Sequence, residues 1–149
     1  LRTVYVTENE INFLTFPPRA NSLVLFGRGY GFDALAAAGW LRRVEVVYWG
    51  DIDTHGFAIL DQLRAVLPRA RSLLMNEATL LAHRVFWVRE DKPLRRELRR
   101  LSDAEQALYR DLCDDRFGEA VRLEQERVAF DCLLSGLGGA GPSRGSDGS

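Results

Sequence analysis

Lysine is nearly missing from this chain: of its 20 basic residues, 19 are arginine and one is Lys92. Arginine suits bidentate phosphate contacts, although a GC-rich coding sequence accounts for the skew more simply. Cysteine is almost as scarce. Cys113 and Cys132 fall in segments that read as helical, with no CxxC and no His at metal-ligand spacing, which argues against a disulfide framework or a zinc site. Net charge is missing too: 20 basic against 21 acidic residues leave -1, excluding a uniformly basic surface or an acidic disordered chain. No apolar run approaches the roughly 20 residues of a membrane helix, and the opening LRTVYVTENE lacks a signal peptide's charged start and long apolar stretch. A cytoplasmic protein with no membrane partner is expected. The first residue is Leu1, leading at once into a strand-like segment, so the chain reads as a fragment of a longer polypeptide.

With 149 residues, 46% of them hydrophobic, one domain with a closed core is the natural expectation. Arg2 to Thr7, Ser22 to Phe26 and Val44 to Trp49 read as buried parallel strands, the third as the centre of the sheet, and Ser72 to Met75 as a fourth. Between them FDALAAAGWLRR and FAILDQLRAVLP have helical spacing, the latter ended by Pro68. From about Asn76 the pattern becomes helical. Ser102 and Glu105 have capping-box spacing before EQALYRDLC, and Gly118 precedes a last predicted helix, Glu119 to Leu134. The tail 136–149 is rich in Gly and Ser and is expected to be disordered. The alternation predicts an α/β fold with a mostly parallel sheet.

Ligands of open α/β sheets bind beyond the carboxyl ends of the strands. Glu8, Asn9 and Glu10 follow the first strand, and Asp51 and Asp53 the third. Two Asp at i and i+2 leaving an extended strand face one side and repel unless a cation lies between them; hard oxygens suit Mg2+ or Mn2+. As plain turn residues, Asp53 or Thr54 would cap the next helix and Gly56 would allow its tight start. That leaves the second Asp and the acid after the first strand unexplained. After the second strand, Gly27, Gly29 and Gly31 surround Arg28, a loop whose amides can approach a phosphate or simply make a tight turn. His55 beside the Asp pair could touch the scissile phosphate or a leaving oxygen, or merely start the helix. His83 reads as a packing or capping residue. Glu124 and Glu126 read as an exposed, salt-bridged helix face, with approach to the sheet edge as the alternative. Arg84 to Arg100 carries a local excess of four positive charges, suiting a phosphate backbone or a solvated helix face.

An acid after the first strand (VYVTENE), a glycine loop after the second (LFGRGYG) and Asp-x-Asp after the third (VVYWGDIDTHG) resemble the Toprim domain of topoisomerases, primases and related nucleases. GDIDTHGFAIL is similar to the A subunit of topoisomerase VI and its meiotic relatives. TENEINFLTFP, GDIDTHGFAIL, TLLAHR and RLEQERVAF, in that order, resemble the C-terminal domain of JetD, the nuclease subunit of Wadjet anti-plasmid defence systems. The resemblance spans roughly Val4 to Leu134 and implies a Toprim (Rossmann-like) domain over 1–135, with about four mostly parallel strands flanked by helices and a C-terminal helical extension. It implies a Mg2+- or Mn2+-dependent DNA endonuclease cleaving plasmid DNA within an SMC-like Wadjet complex. Its partners would be plasmid DNA, the other subunits of that complex and a second copy of the chain. Glu8 would be the Toprim glutamate and Asp51 and Asp53 its metal pair, these three forming the catalytic set. Glu10 is an outside candidate; Gly27, Arg28, Gly29 and His55 would contact phosphate or DNA.

The topoisomerases take a nucleophilic tyrosine from a winged-helix domain that these 149 residues do not include. Tyr5 and Tyr48 lie in predicted strands, and Tyr30 and Tyr109 have no motif around them, so hydrolysis by a metal-activated water is expected. DIDT also resembles the Asp-x-Asp-x-Thr loop of haloacid-dehalogenase-like phosphatases, which carry it on the first strand and need a later Lys; here it follows the third, and Lys92 stands alone. A Toprim module that binds DNA or a partner without cutting is the other alternative.

Overall fold

The computed structural model describes residues 3–7, 22–26 and 39–128. Its frame is a four-stranded sheet of β1 (Thr3–Thr7), β2 (Ser22–Phe26), β3 (Glu45–Trp49) and β4 (Arg71–Ser72), in the order β2-β1-β3-β4. All neighbours are parallel, and Thr7 pairs with both Phe26 and Trp49, so three strands end level at one edge. Val46, Val47, Tyr48 and Trp49 are all buried. Successive strand residues face opposite sides, so burial of all four means that β3 is covered on both faces, as its near-continuous apolar run predicts. Because the chain passes from β1 outward to β2 and from β3 outward to β4, the strand order reverses between β1 and β3. That is where open α/β sheets place ligands.

Helix α1 (Thr54–Val66) follows β3 and buries Phe57, Leu60 and Leu63 completely, each contributing about 1.5–3 kcal/mol. Leu67 is its C-cap, so the helix stops short of Pro68 as expected. The fourth strand is shorter and earlier than predicted. Leu74 has a positive φ of 60° and turns the chain toward Asn76, whose side chain caps α2 (Glu77–Ala82). The predicted capping box is present: Ser102 and Glu105 exchange side-chain-to-backbone bonds at the start of α3 (Asp103–Cys113). Glu105 is also held by Arg64 and Ser72, which ties α3 to α1 and the sheet. The end of FDALAAAGWLRR is a 3-10 turn, Gly39–Arg43; its earlier part lies outside the described residues. No helix among the described residues is long and apolar enough to cross a membrane.

The last predicted helix is overturned. Residues 119–128, expected to begin a long helix, instead form an extended return segment: β6 (Val121–Arg122) pairs antiparallel with β5 (Val88–Arg89), and a 3-10 turn follows at Gln125–Arg127. Val121, Leu123 and Gln125 are buried while Arg122 and Glu124 are only partly so, a period of two rather than 3.6. Ala120, at a positive φ of 48°, aims this segment; its N–H donates to Asp115 and its carbonyl accepts from Glu90 N–H. The predicted helical extension is therefore a strand and turn across the described part, and 129–134 lies outside the described residues.

Candidate functional site

The residues after β3 turn directly into α1. Asp53, 1% exposed, is the N-cap, and its Oδ1 accepts from Gly56 N–H at 2.6 Å. Gly56 is required for a second reason: a Cβ there would overlap the Asp51 carbonyl oxygen. The other free N–H groups of the first turn go to Glu90, a buried carboxylate from a distant loop, which accepts from Thr54 N–H at 3.2 Å and His55 N–H at 3.0 Å. Thr54 Oγ1 lies 2.8 Å from both Glu90 oxygens and accepts from Leu94 N–H. The His55 ring reaches the Lys92 carbonyl through Nε2 at 2.9 Å. His55 is thus fixed at the helix start by the loop that carries Glu90.

The return segment completes the site. Ile52 and Leu123 form an antiparallel bridge through two backbone hydrogen bonds of 3.0 and 3.1 Å. This register sets Asp53 opposite Arg122 and Asp51 opposite Glu124. The first pair is complementary: Arg122 Nε donates to Asp53 Oδ2 at 2.6 Å. The second sets like charges against each other. Beyond it, Gln125 donates its backbone N–H to Asp51 Oδ1 at 2.6 Å and its side-chain amide to Thr7 Oγ1 at the end of β1.

Electrostatics follow this geometry. Burial, reinforced by the charges of Asp53 and Glu124, raises the Asp51 pKa from 3.8 to about 6, against the lowering effect of Gln125 N–H and Arg122. Burial would weaken the Arg122 cation, but the hydrogen bond and charge of Asp53 outweigh it and keep the guanidinium firmly protonated. The fields of three carboxylates, Asp53, Asp51 and Glu90, therefore reach one guanidinium, and Glu124 adds a further negative charge beside Asp51.

Asp51, Asp53 and His55 sit together where the sequence predicts. Glu8, Glu10, Gly27, Arg28 and Gly29 lie outside the described residues. Among the described residues no three His, Cys, Asp or Glu side chains form a metal-holding group. The donor chemistry that is present, carboxylate oxygens with excess negative charge, nevertheless fits a hard divalent cation. Glu124 belongs to this edge, not to an exposed helix face, because the helix expected to carry it does not form; Glu126 is exposed. His83 caps α2 and is buried, its Nδ1 2.8 Å from the Thr79 carbonyl. Residues 90–101 are not helical, so the predicted charged helix face there is absent, and Arg95 and Arg100 pair with Asp115 and Asp61. Sequence reasoning missed Glu90, Arg122 and Gln125. The alternation of Val121, Leu123 and Gln125 could have revealed the last two; nothing local marks Glu90.

No curated protein matches the chain. A family model does: the one described as "Wadjet protein JetD, C-terminal" matches residues 1–137, a span that takes in the parallel sheet, the Asp51–Asp53 edge and the return segment that closes it. With nearly its whole length inside that match, the chain belongs to the family of the C-terminal region of the Wadjet protein JetD.

Proposed function

We propose that this chain is the nuclease domain of a Wadjet complex, a Mg2+- or Mn2+-dependent endonuclease that hydrolyses phosphodiester bonds of plasmid DNA. The observation that carries the reading is the pairing at the reversal point of the sheet. There Asp51 and Asp53 flank Ile52, and Asp51 is opposed by a further carboxylate, Glu124, an excess of negative charge that suits a bound cation. Family membership supports the Wadjet setting. In this reading Asp51 and Asp53, with Glu8, the next residue in sequence after Thr7, hold the ion, and Glu8 also serves as general base or acid. A bound divalent ion supplies polarisation of the phosphodiester and a lowered pKa for the attacking water. Arg122 orients Asp53, Gln125 N–H fixes one Asp51 oxygen, and His55, tethered to the Lys92 carbonyl, contacts the substrate phosphate or a leaving oxygen. Gly27, Arg28 and Gly29 contact a neighbouring phosphate. The remaining partners are the other SMC-like complex subunits and a second copy of the chain.

Supercoiled plasmid incubated with Mn2+ tests the proposal. The wild-type chain should nick or linearise it, and Asp51→Asn, which retains an acceptor for Gln125 N–H, should not. Cutting that persists in Asp51→Asn, or that needs no divalent ion, would reject the reading. A phosphatase would instead hydrolyse small phosphomonoesters, so the same preparations should be inert toward them.

A further inference from the structure

We infer that Gln125 is a positioning residue for the metal site, a latch that sets the spacing between the end of β1 and Asp51 across the reversal point of the sheet. The inference rests on the metal-dependent reading above. Two strand ends meet at this edge: β1, which stops at Thr7, and β3, which leads to Asp51. The sheet ladder aligns Thr7 with Trp49, but it stops there. Past the ladder, Gln125 connects the two. Its backbone N–H donates to Asp51 Oδ1 at 2.6 Å, and its Nε2 donates to Thr7 Oγ1 at 2.5 Å.

Burial makes this connection rigid. Gln125 and Thr7 are each 1% exposed, and the Ile52–Leu123 bridge anchors the segment two residues before Gln125. Packing alone does not explain an amide at this position. Gln125 Oε1 is buried with no hydrogen-bond partner among the described residues, a penalty that an apolar side chain of the same length would avoid. The amide is useful because its tip hydrogen-bonds the Thr7 hydroxyl while its own backbone holds Asp51, which an apolar side chain could not do. Partners that orient metal ligands act in this way.

Mn2+ titration calorimetry of the 149-residue chain, alongside urea unfolding, tests the latch. Gln125→Met keeps the volume and removes the amide; Thr7→Val removes the hydroxyl that receives it. Each should weaken Mn2+ binding about tenfold, as loss of a ligand-orienting partner does. The double variant should weaken it no further, because one contact is lost in both. Thr7→Ser should restore wild-type affinity. If Gln125→Met and Thr7→Val lose only urea stability and bind Mn2+ like wild type, Gln125 is a structural residue and the inference fails. Should Gln125→Met not fold, Thr7→Val against Thr7→Ser decides alone. Asp51→Asn separates the two levels: unchanged Mn2+ binding in that variant overturns the metal reading and the latch with it, whereas weakened binding there with intact binding in Thr7→Val overturns the latch alone.

Discussion

Asp51 and Asp53 are separated by one residue and meet opposite treatment. Asp53 caps α1 through one oxygen and pairs with Arg122 through the other. Asp51 receives a single backbone N–H and confronts Glu124. The difference separates two roles that a sequence motif merges. Asp53 is built into the fold, so its removal should damage the structure. Asp51 is held against the preference of the fold, the condition expected of a group whose charge awaits a ligand.

The sharpest way to break this contrast is to delete each carboxylate and measure stability. Asp53→Ala loses the helix cap and leaves the Arg122 guanidinium partly buried without its partner, and should cost about 3 kcal/mol in urea unfolding. Asp51→Asn should instead stabilise the metal-free chain at pH 7.5, on the order of 1–2 kcal/mol, because it removes a charge that burial disfavours. Equal losses in the two variants would erase the distinction.

A pH series sharpens it. The Asp51 pKa is raised from 3.8 in the unfolded chain to about 6 in the fold. The folded state therefore keeps a proton that the unfolded state releases, and the stabilisation present below pH 3.8 is lost as pH rises through about 6. The melting temperature of the wild type minus that of Asp51→Asn should fall over this window and level off above it. Mg2+ should restore part of the difference above pH 6 in the wild type and none in Asp51→Asn, since metal binding requires the ionised ligand. Glu105 supplies the opposite sign. Burial pushes its carboxyl up, but hydrogen bonds from Arg64, Ser72 and Ser102 N–H outweigh that and hold its pKa below the ordinary value. Its contribution is present above the ordinary Glu pKa and disappears as pH falls through the lowered one, so Glu105→Gln should flatten the acid limb of the stability curve.

The smallest expected effect belongs to Glu124→Gln. Relieving one cross-strand repulsion should stabilise the metal-free chain by about 0.5 kcal/mol and lower the pKa of Asp51, read as a shift of the wild-type pH transition toward acid. An unmoved transition would mean that Glu124 plays no part in raising the Asp51 pKa.

Much of this frame was legible in the residues. Short β-branched, aliphatic and near-continuous apolar runs gave β1 to β3, the spacing of Phe57, Leu60 and Leu63 gave α1, and Ser102 with Glu105 gave α3, because each depends on contacts within a few positions. The parallel sheet and the place of Asp51 and Asp53 at its edge follow from those elements. What could not be read were the partners. Residues 119–128 contain enough apolar positions to satisfy a helical pattern, and their extended form is decided by pairing with Val88, Arg89 and Ile52 far away in sequence. Arg122, Glu124 and Gln125 reach the site only through that pairing. Glu90 does so only through the free N–H groups of α1, a demand that any acid in a suitably placed loop could meet.

The capping of α1 by two acids bears on the order in which ligands arrive. Many α/β proteins leave the first turn of such a helix open and seat a phosphate on its amides. Here Asp53 and Glu90 have already taken those amides, so an anion nearing this edge meets carboxylates in place of donors. On the metal-dependent reading proposed above, the edge would repel a polyanion until a divalent ion had neutralised it, and metal loading would become a precondition for engaging DNA there.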